Sequence, residues 1–221
     1  MSHKSRDNGL PSDRQSHKPQ GNGLASGSQS QVINFSEFNS SLDHSNVVRI
    51  GVISDTHIPD RGKHIPQVIL DAFKHVDLII HAGDIVSLGV IDELRGVCSK
   101  VVVVAGNMDQ EAVRKKYPEK QILEIFGKRV GLMHGSGPAL NLPELLKDAF
   151  KEDNCDLIIF GHSHKPMNER IGGILFFNPG SATDFSSAYN SYGIIELKKR
   201  LANPGEAPDR QSEIESKIIK I

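Results

Sequence analysis

Short apolar runs that stop abruptly at glycine and polar residues set the pattern of this chain from about position 47 onward. Residues 48–53 are largely apolar and end at once in polar positions, as a buried strand would. The same pattern recurs over residues 78–82 before Gly83-Asp84, 101–105 before Gly106-Asn107, 130–133 before His134-Gly135, and 156–160 before Gly161-His162. Five strands with polar carboxyl ends are therefore predicted. Between some of them, residues 65–73, 86–95 and 142–150 carry apolar side chains three and four positions apart, the spacing of a helix with one buried face. The alternation of strands and helices predicts a layered α/β fold. Residues 121–126 and 129–133, flanking Gly127-Lys128, predict a hairpin, and so do residues 174–178 and 192–197 with their intervening loop. The sheet is therefore expected to be mixed. Residues 201–212 hold two prolines and several charges, and residues 214–221 predict a last edge strand, with an amphipathic helix as the alternative.

Residues 1–46 break this pattern. They are rich in Ser, Gly, Asn, Gln, Asp and His and have almost no apolar periodicity, so they are expected to form a disordered polar tail ahead of a domain spanning 47–221. The basic residues of the tail are balanced by Asp7, Asp13, Glu37 and Asp43, which argues against a nucleic-acid arm and against an organelle transit peptide. Over the whole chain 26 Lys and Arg almost cancel 27 Asp and Glu, so no strong field favours a polyanion, and no specific nucleic-acid partner is expected. Cys98 and Cys155 lie far apart with no Cys-x-x-Cys spacing, and read as buried thiols in a reducing compartment. The apolar runs are far shorter than the ~18 residues of a membrane span, so the protein is expected to be soluble and cytoplasmic, with no membrane partner.

The polar residues at the strand ends carry the candidate chemistry. Ligands of open α/β sheets bind outside the carboxyl ends of the strands, and here that edge gathers Asp55, His57, Asp84, Asn107, His134, His162 and His164. Each alone has an ordinary structural reading: Asp55 as a helix cap, Asp84 in a turn, Asn107 in an Asx-turn, His134 in the core. Together they supply carboxylate, imidazole and amide oxygen without thiolate, a mixture suited to a pair of divalent ions rather than to a structural zinc site. Gly161-His162-Ser163-His164 resists the structural reading most, because two histidines one residue apart can reach two adjacent metals from one loop.

The ordered set Asp55-Thr56-His57, Gly83-Asp84, Gly106-Asn107-Met108-Asp109, His134 and Gly161-His162-Ser163-His164 resembles the calcineurin-like metallophosphoesterase superfamily. The resemblance spans about residues 48–198, and with His81-Ala82-Gly83-Asp84 and Asn178-Pro179-Gly180-Ser181 the chain looks like the small prokaryotic phosphodiesterase branch. It implies a four-layer αββα sandwich of two mixed β-sheets flanked by helices, where the pattern alone suggests a single sheet. It also implies a phosphodiesterase using two divalent metal ions, with Asp55, His57 and His164 on the first, Asn107, His134 and His162 on the second, and Asp84 between them. Asp84, Asn107 and His134 are the expected catalytic positions. The two ions would lower the pKa of a shared water, which attacks phosphorus in line. Mn²⁺ is the first candidate, with Ni²⁺, Co²⁺, Fe and Zn²⁺ able to occupy such sites. The substrate is expected to be a small phosphate ester, and a homodimer is left open.

Met108 departs from the many superfamily members with His after Gly-Asn, and a thioether donates no proton, so it receives no catalytic role: either the leaving group is a good one, a bound water protonates it, or another residue does. Asp109 is expected to orient a ligand histidine from behind. His64 and His75 are expected to be solvated, and His81 to pack behind the site. Ser163 and Lys165 either touch phosphate or form a plain loop, and Asn178 and Ser181 either help close the site floor or, with their Pro-Gly pair, form only a turn. The competing reading is a non-catalytic protein-binding scaffold of the same fold, as in one eukaryotic branch whose bridging carboxylate and amide ligand are altered. Asp84 and Asn107 keep both chemistries here. A nuclease would want a basic groove, which does not appear.

Overall fold

Period-two alternation along the strands explains why two sheets form. In the computed structural model, which describes residues 1, 31–35, 46–186, 188–199 and 212–221, strand β3 (Leu78–His81) sends Leu78 and Ile80 to one buried cluster and Ile79 to another. Strand β7 (Leu157–Ile159) behaves alike, with Leu157 and Ile159 in the first cluster and Ile158 in a third. Each strand is apolar on both faces because each sheet is covered on both.

The remaining strands are β1 (Gln31–Asn34), β2 (Val47–Ile53), β4 (Val101–Val103), β5 (Lys120–Ile125), β6 (Lys128–Met133), β8 (Met167–Ile171), β9 (Ile174–Asn178), β10 (Ser191–Lys198) and β11 (Glu213–Lys220). The helices are α1 (Gln67–Phe73), α2 (Gly89–Arg95), α3 (Glu111–Lys116) and α4 (Leu142–Ala149). One sheet runs β1-β5-β6-β7-β9-β8 and the other β11-β10-β2-β3-β4. Both are mixed: β2, β3 and β4 are parallel, as are β6, β7 and β9, while β10 and β8 pair antiparallel with their neighbours. The cluster between the sheets joins Val48, Ile50 and Val52 to Leu132, Leu157, Phe177 and Ile195. On the outer face of the five-stranded sheet, Ile69 and Phe73 of α1 and Val90, Ile91 and Leu94 of α2 cover Ile53, Ile79 and Val103. On the outer face of the other, Leu142 and Leu146 of α4 and the adjacent Phe150, four positions apart, cover Ile122, Ile158 and Phe176. Helix, sheet, sheet, helix is the layering that the resemblance implies. Each such fully buried side chain stabilises the fold by about 1.5–3 kcal/mol relative to exposure.

Several local expectations change. The expected hairpin of residues 174–178 with 192–197 does not form: β9 pairs with β7 and β8, whereas β10 pairs with β2 and β11 in the other sheet. The loop after Asn178 carries the chain across the sandwich, because both strands are apolar on both faces and each needs a central place. β9 instead makes its hairpin with β8 through Gly172-Gly173. The turn of the β5–β6 hairpin is Phe126-Gly127, one residue before the predicted pair, with φ of 50° and 74°. That double positive φ is the type I′ geometry that matches strand twist. Within the expected disordered tail, Gln31–Asn34 form β1, a parallel edge strand on β5, and Ile33 and Phe35 pack against the central cluster. Most of that tail, and residues 200–211 of the predicted proline-containing loop, lie outside the described residues. The predicted last strand is present as β11 on the edge of the five-stranded sheet. Cys155 is buried, but Cys98 is only half-buried, its thiol 3.7 Å from the Val76 carbonyl.

Candidate metal centre

The seven candidate side chains sit where the chain leaves parallel strands. Asp55 and His57 follow β2, Asp84 follows β3, Asn107 follows β4, His134 follows β6, and His162 and His164 follow β7. The first three strands belong to one sheet and the last two to the other, so the candidates straddle one end of the sandwich. The backbone there is strained: Asp55, His57, Asp84, Val86, His162 and His164 take left-handed conformations with φ of 52°, 43°, 54°, 71°, 68° and 55°. Such conformations cost a non-glycine residue on the order of 1–3 kcal/mol and persist where the surroundings over-determine them. Two glycines permit the close approach of the loops. A Cβ on Gly106 would strike the Asp84 carboxylate, and one on Gly161 would strike the Ser54 hydroxyl.

Donor atoms converge within this frame. His134 Nδ1 donates to the Ala82 carbonyl at 2.7 Å, which leaves the lone pair on Nε2. That Nε2 is buried with no aligned hydrogen-bond partner among the described residues, and it faces Asp84 Oδ2 at 3.2 Å and Asp55 Oδ1 at 3.8 Å. His57 Nε2 lies 3.6 Å from the same Asp84 oxygen and 3.2 Å from His164 Nε2. His164 Nε2 is in turn 3.2 Å from Asp55 Oδ1. Two sets of three donors result, Asp55, His57 and His164, and Asp55, Asp84 and His134, each within 4.8 Å of one another. On the exposed side His162 Nε2 meets the Gly137 carbonyl at 2.9 Å, and its Nδ1 lies 2.9 Å from Asn107 Oδ1. An orphaned buried nitrogen, two buried carboxylates and nitrogen and oxygen donors without thiolate fit a divalent cation.

The electrostatics agree. Burial opposes charge on Asp84, but the contact and charge of His134 and the Met108 N–H outweigh it and hold the carboxyl below its ordinary range. Burial likewise opposes charge on His134, yet Asp84 and Asp55 push its pKa up to about 9. A proton and a dication would compete for the same carboxylate oxygens. His164 is raised by its contact with Asp55, against burial and with help from Asp184, whereas burial lowers His57.

Other residues hold the frame, some of them unforeseen. Among the described residues Asp109 meets no histidine: its carboxylate accepts the backbone N–H groups of Asp84, Ile85, Val86 and Gly106 at 3.1, 2.6, 2.7 and 2.7 Å. It clamps the strained Asp84 loop, because a turn that brings the Asp109 N–H back to the Gly106 carbonyl sets its carboxylate among those four donors. Met108 is 58% exposed, and its N–H donates to Asp84 Oδ1. His81 packs behind the site as expected: Gly83 N–H donates to Nδ1, Nε2 meets Thr56 Oγ1 at 3.0 Å, and burial drives its pKa down to about 3. Asn178 donates to the Gly161 carbonyl and Ser181 to the Asp55 carbonyl, closing the floor. Ser163 accepts from Asn178, and Lys165 is exposed. His75 is exposed, while His64 has a partner in Glu93 at 2.9 Å. Asp184 was not legible in the sequence: its carboxylate meets His164 Nδ1 at 2.6 Å and Arg61 at 3.0 Å, and it lies in a loop with no motif spacing. Ser54, which donates to Asp55 Oδ2 at 2.6 Å, was adjacent to a candidate and could have been suspected.

The profile of the calcineurin-like phosphoesterase superfamily domain matches residues 48–200. The chain belongs to that superfamily. Family membership implies divalent metal ions and phosphoesterase chemistry, and the converging donors give those ions candidate ligands. A probable metallophosphoesterase of Methanothermobacter thermautotrophicus is 41% identical over 134 residues, which cover 61% of this chain and 77% of that protein. A phosphodiesterase of Methanocaldococcus jannaschii is 28% identical over 168 residues, covering 69% of this chain and 95% of that protein. Among solved structures, that of vacuolar protein sorting 29 from Cryptosporidium parvum superposes with a TM-score of 0.62 at 21% identity, covering 79% of this chain and 99% of that one. That likeness concerns the fold. None of the described helices is long and apolar enough to cross a membrane.

Proposed function

We propose that this chain is a phosphodiesterase working through two divalent ions, with Mn²⁺ the first candidate. The observation that carries the proposal is the orphaned His134 Nε2, facing a carboxylate oxygen that also faces His57. Asp55, His57 and His164 would hold one ion, and Asn107, His134 and His162 the other. Asp84 would touch both, a role supported by its Oδ2 lying 3.6 Å from His57 and 3.2 Å from His134. When bound, such a pair lowers the pKa of a water and balances charge on the phosphoryl oxygens. The protein's share is orientation. The Ala82 carbonyl and Asp184 turn His134 and His164 by their Nδ1 atoms, Ser54 and the His162 N–H hold the Asp55 carboxylate, and Asp109 holds the Asp84 loop. No imidazole stands at position 108, so the leaving alkoxide is already a weak base or takes its proton from water or from another residue. The free cysteines Cys98 and Cys155 support a cytoplasmic setting.

Phosphodiester is preferred over other esters on the likeness to the M. jannaschii enzyme. The scaffold reading, raised by the sorting-protein fold, leaves the intact donor cluster without a use. The test is hydrolysis of bis(p-nitrophenyl) phosphate by chelator-treated protein before and after Mn²⁺ is added. The stripped protein is expected to stay folded and inactive and to recover with Mn²⁺. Full activity without metal would overturn the mechanism, and a folded chain inactive with every candidate metal would favour the scaffold.

A further inference from the structure

A cavity of about 610 Å³ opens beside the candidate ligand histidines, lined in part by Arg61, His164, Lys165, Asp184, Ser186 and Tyr189. That size falls within the ~300–1,000 Å³ typical of small-molecule sites. A bare phosphate held by the donor cluster would leave it empty. Its charge is also lopsided. Asp184 is the carboxylate among the lining residues, and both of its oxygens are engaged: Oδ2 with His164 and Oδ1 with Arg61 and with the N–H and O–H of Ser186. Because Arg61, 32% exposed, is itself paired with that carboxylate, the uncompensated charge the wall presents to a ligand is the exposed ammonium of Lys165, with the edge of the Arg61 guanidinium beside it. Tyr189 completes the wall as a half-buried ring, braced by the Lys220 ammonium 4.1 Å from its centroid. Cations beside an aromatic ring suit an anion joined to a planar group, because the ring offers stacking and the cations offset phosphate charge.

We propose that this cavity is an ester-group subsite that selects phosphate esters carrying a planar ring, of phenyl or nucleobase type, over esters of small aliphatic alcohols. The inference rests on the phosphoesterase reading of the neighbouring cluster, but its test does not depend on turnover. Calorimetric binding of phenyl phosphate, methyl phosphate and inorganic phosphate to the Mn²⁺-loaded protein reads the preference directly. The parent should bind phenyl phosphate roughly tenfold more tightly than methyl phosphate, the effect of one ring stacked on a tyrosine. Tyr189→Ala should abolish that difference and leave inorganic phosphate binding unchanged, whereas Tyr189→Phe, which keeps the ring, should retain it. Lys165→Ala should weaken phenyl phosphate several-fold. Circular dichroism on each variant establishes that it is folded. A parent that binds the two esters alike, or a Tyr189→Ala variant that keeps the preference, overturns the subsite. A ring preference in a protein that hydrolyses no ester would instead sink the enzymatic reading and leave the cavity's ligand class standing.

Discussion

Replacing Asp109 tests how the strained site is held. Its two oxygens accept four backbone N–H groups, those of Asp84, Ile85, Val86 and Gly106, and every one of these residues is buried. Asp109→Ala removes all four acceptors at once. Each buried donor left unsatisfied costs roughly 1–3 kcal/mol. Allowing for water entering the space left by the side chain, the loss is expected to be at least about 4 kcal/mol. A domain of this size melts ~2–4 °C lower per kcal/mol, so the melting temperature should fall by ~8–16 °C. Asp109→Asn keeps one oxygen for one pair of donors but turns an amide NH₂ toward the other pair, and should lose about half as much. Because the loop being released carries Asp84 at φ 54° and Val86 at φ 71°, metal affinity should fall together with stability. Thermal melts followed by circular dichroism, with Mn²⁺ affinity by calorimetry on the same samples, measure both. An Asp109→Asn protein that melts within ~2 °C of the parent would refute the clamp. If only activity fell, the role expected from the motif, orientation of a ligand histidine, would be restored.

Three further outcomes follow from the geometry. In the metal-free protein His134 is pushed up to about 9, so the stability it contributes is full below its ordinary pKa near 6.5 and is lost as pH rises through 9. His81 is driven down to about 3 and stays neutral in the fold, so its contribution is lost as pH falls below 6.5; urea titrations at pH 5, 6.5 and 9 should find the stripped protein most stable in the middle. The His134 proton also competes with metal, so Mn²⁺ affinity should rise with pH up to about 9, and a pH-independent affinity would remove His134 from the ligand set. Deleting residues 1–46 removes β1 and the core contacts of Ile33 and Phe35, so the melting temperature should drop by several degrees, where a wholly unstructured tail predicts none.

What could be read from the sequence was whatever left a periodic or motif-spaced trace. Val48, Ile50 and Val52, and likewise Leu157 to Ile159, are apolar because both faces of their strands are covered, and so they stood out as runs. β8 left no such trace, since four of its five positions are exposed, and α3 buries only Val113. The wrong pairing of β9 with β10 arose because nearness in sequence is a fair guide to pairing inside one sheet but not where the chain crosses between two. The candidate ligands were legible since each ends a strand in a fixed order. Their supports were not: Asp184 reaches His164 from 20 positions away, and Asp109 acts through backbone donors that no side-chain pattern records.

The central claim is that one carboxylate, Asp84, serves two ions. Asp84→Asn keeps the shape and removes the charge that offsets them, at a buried loop position clear of the apolar clusters, so the fold should survive. Metal content per folded chain and hydrolysis of bis(p-nitrophenyl) phosphate, measured on one preparation in excess Mn²⁺, test the claim most directly. The parent should hold two ions, and the variant should lose at least one of them together with at least ~10²-fold in turnover, because both ions act on one water. A variant that binds two ions and turns over at the parent rate would contradict the claim.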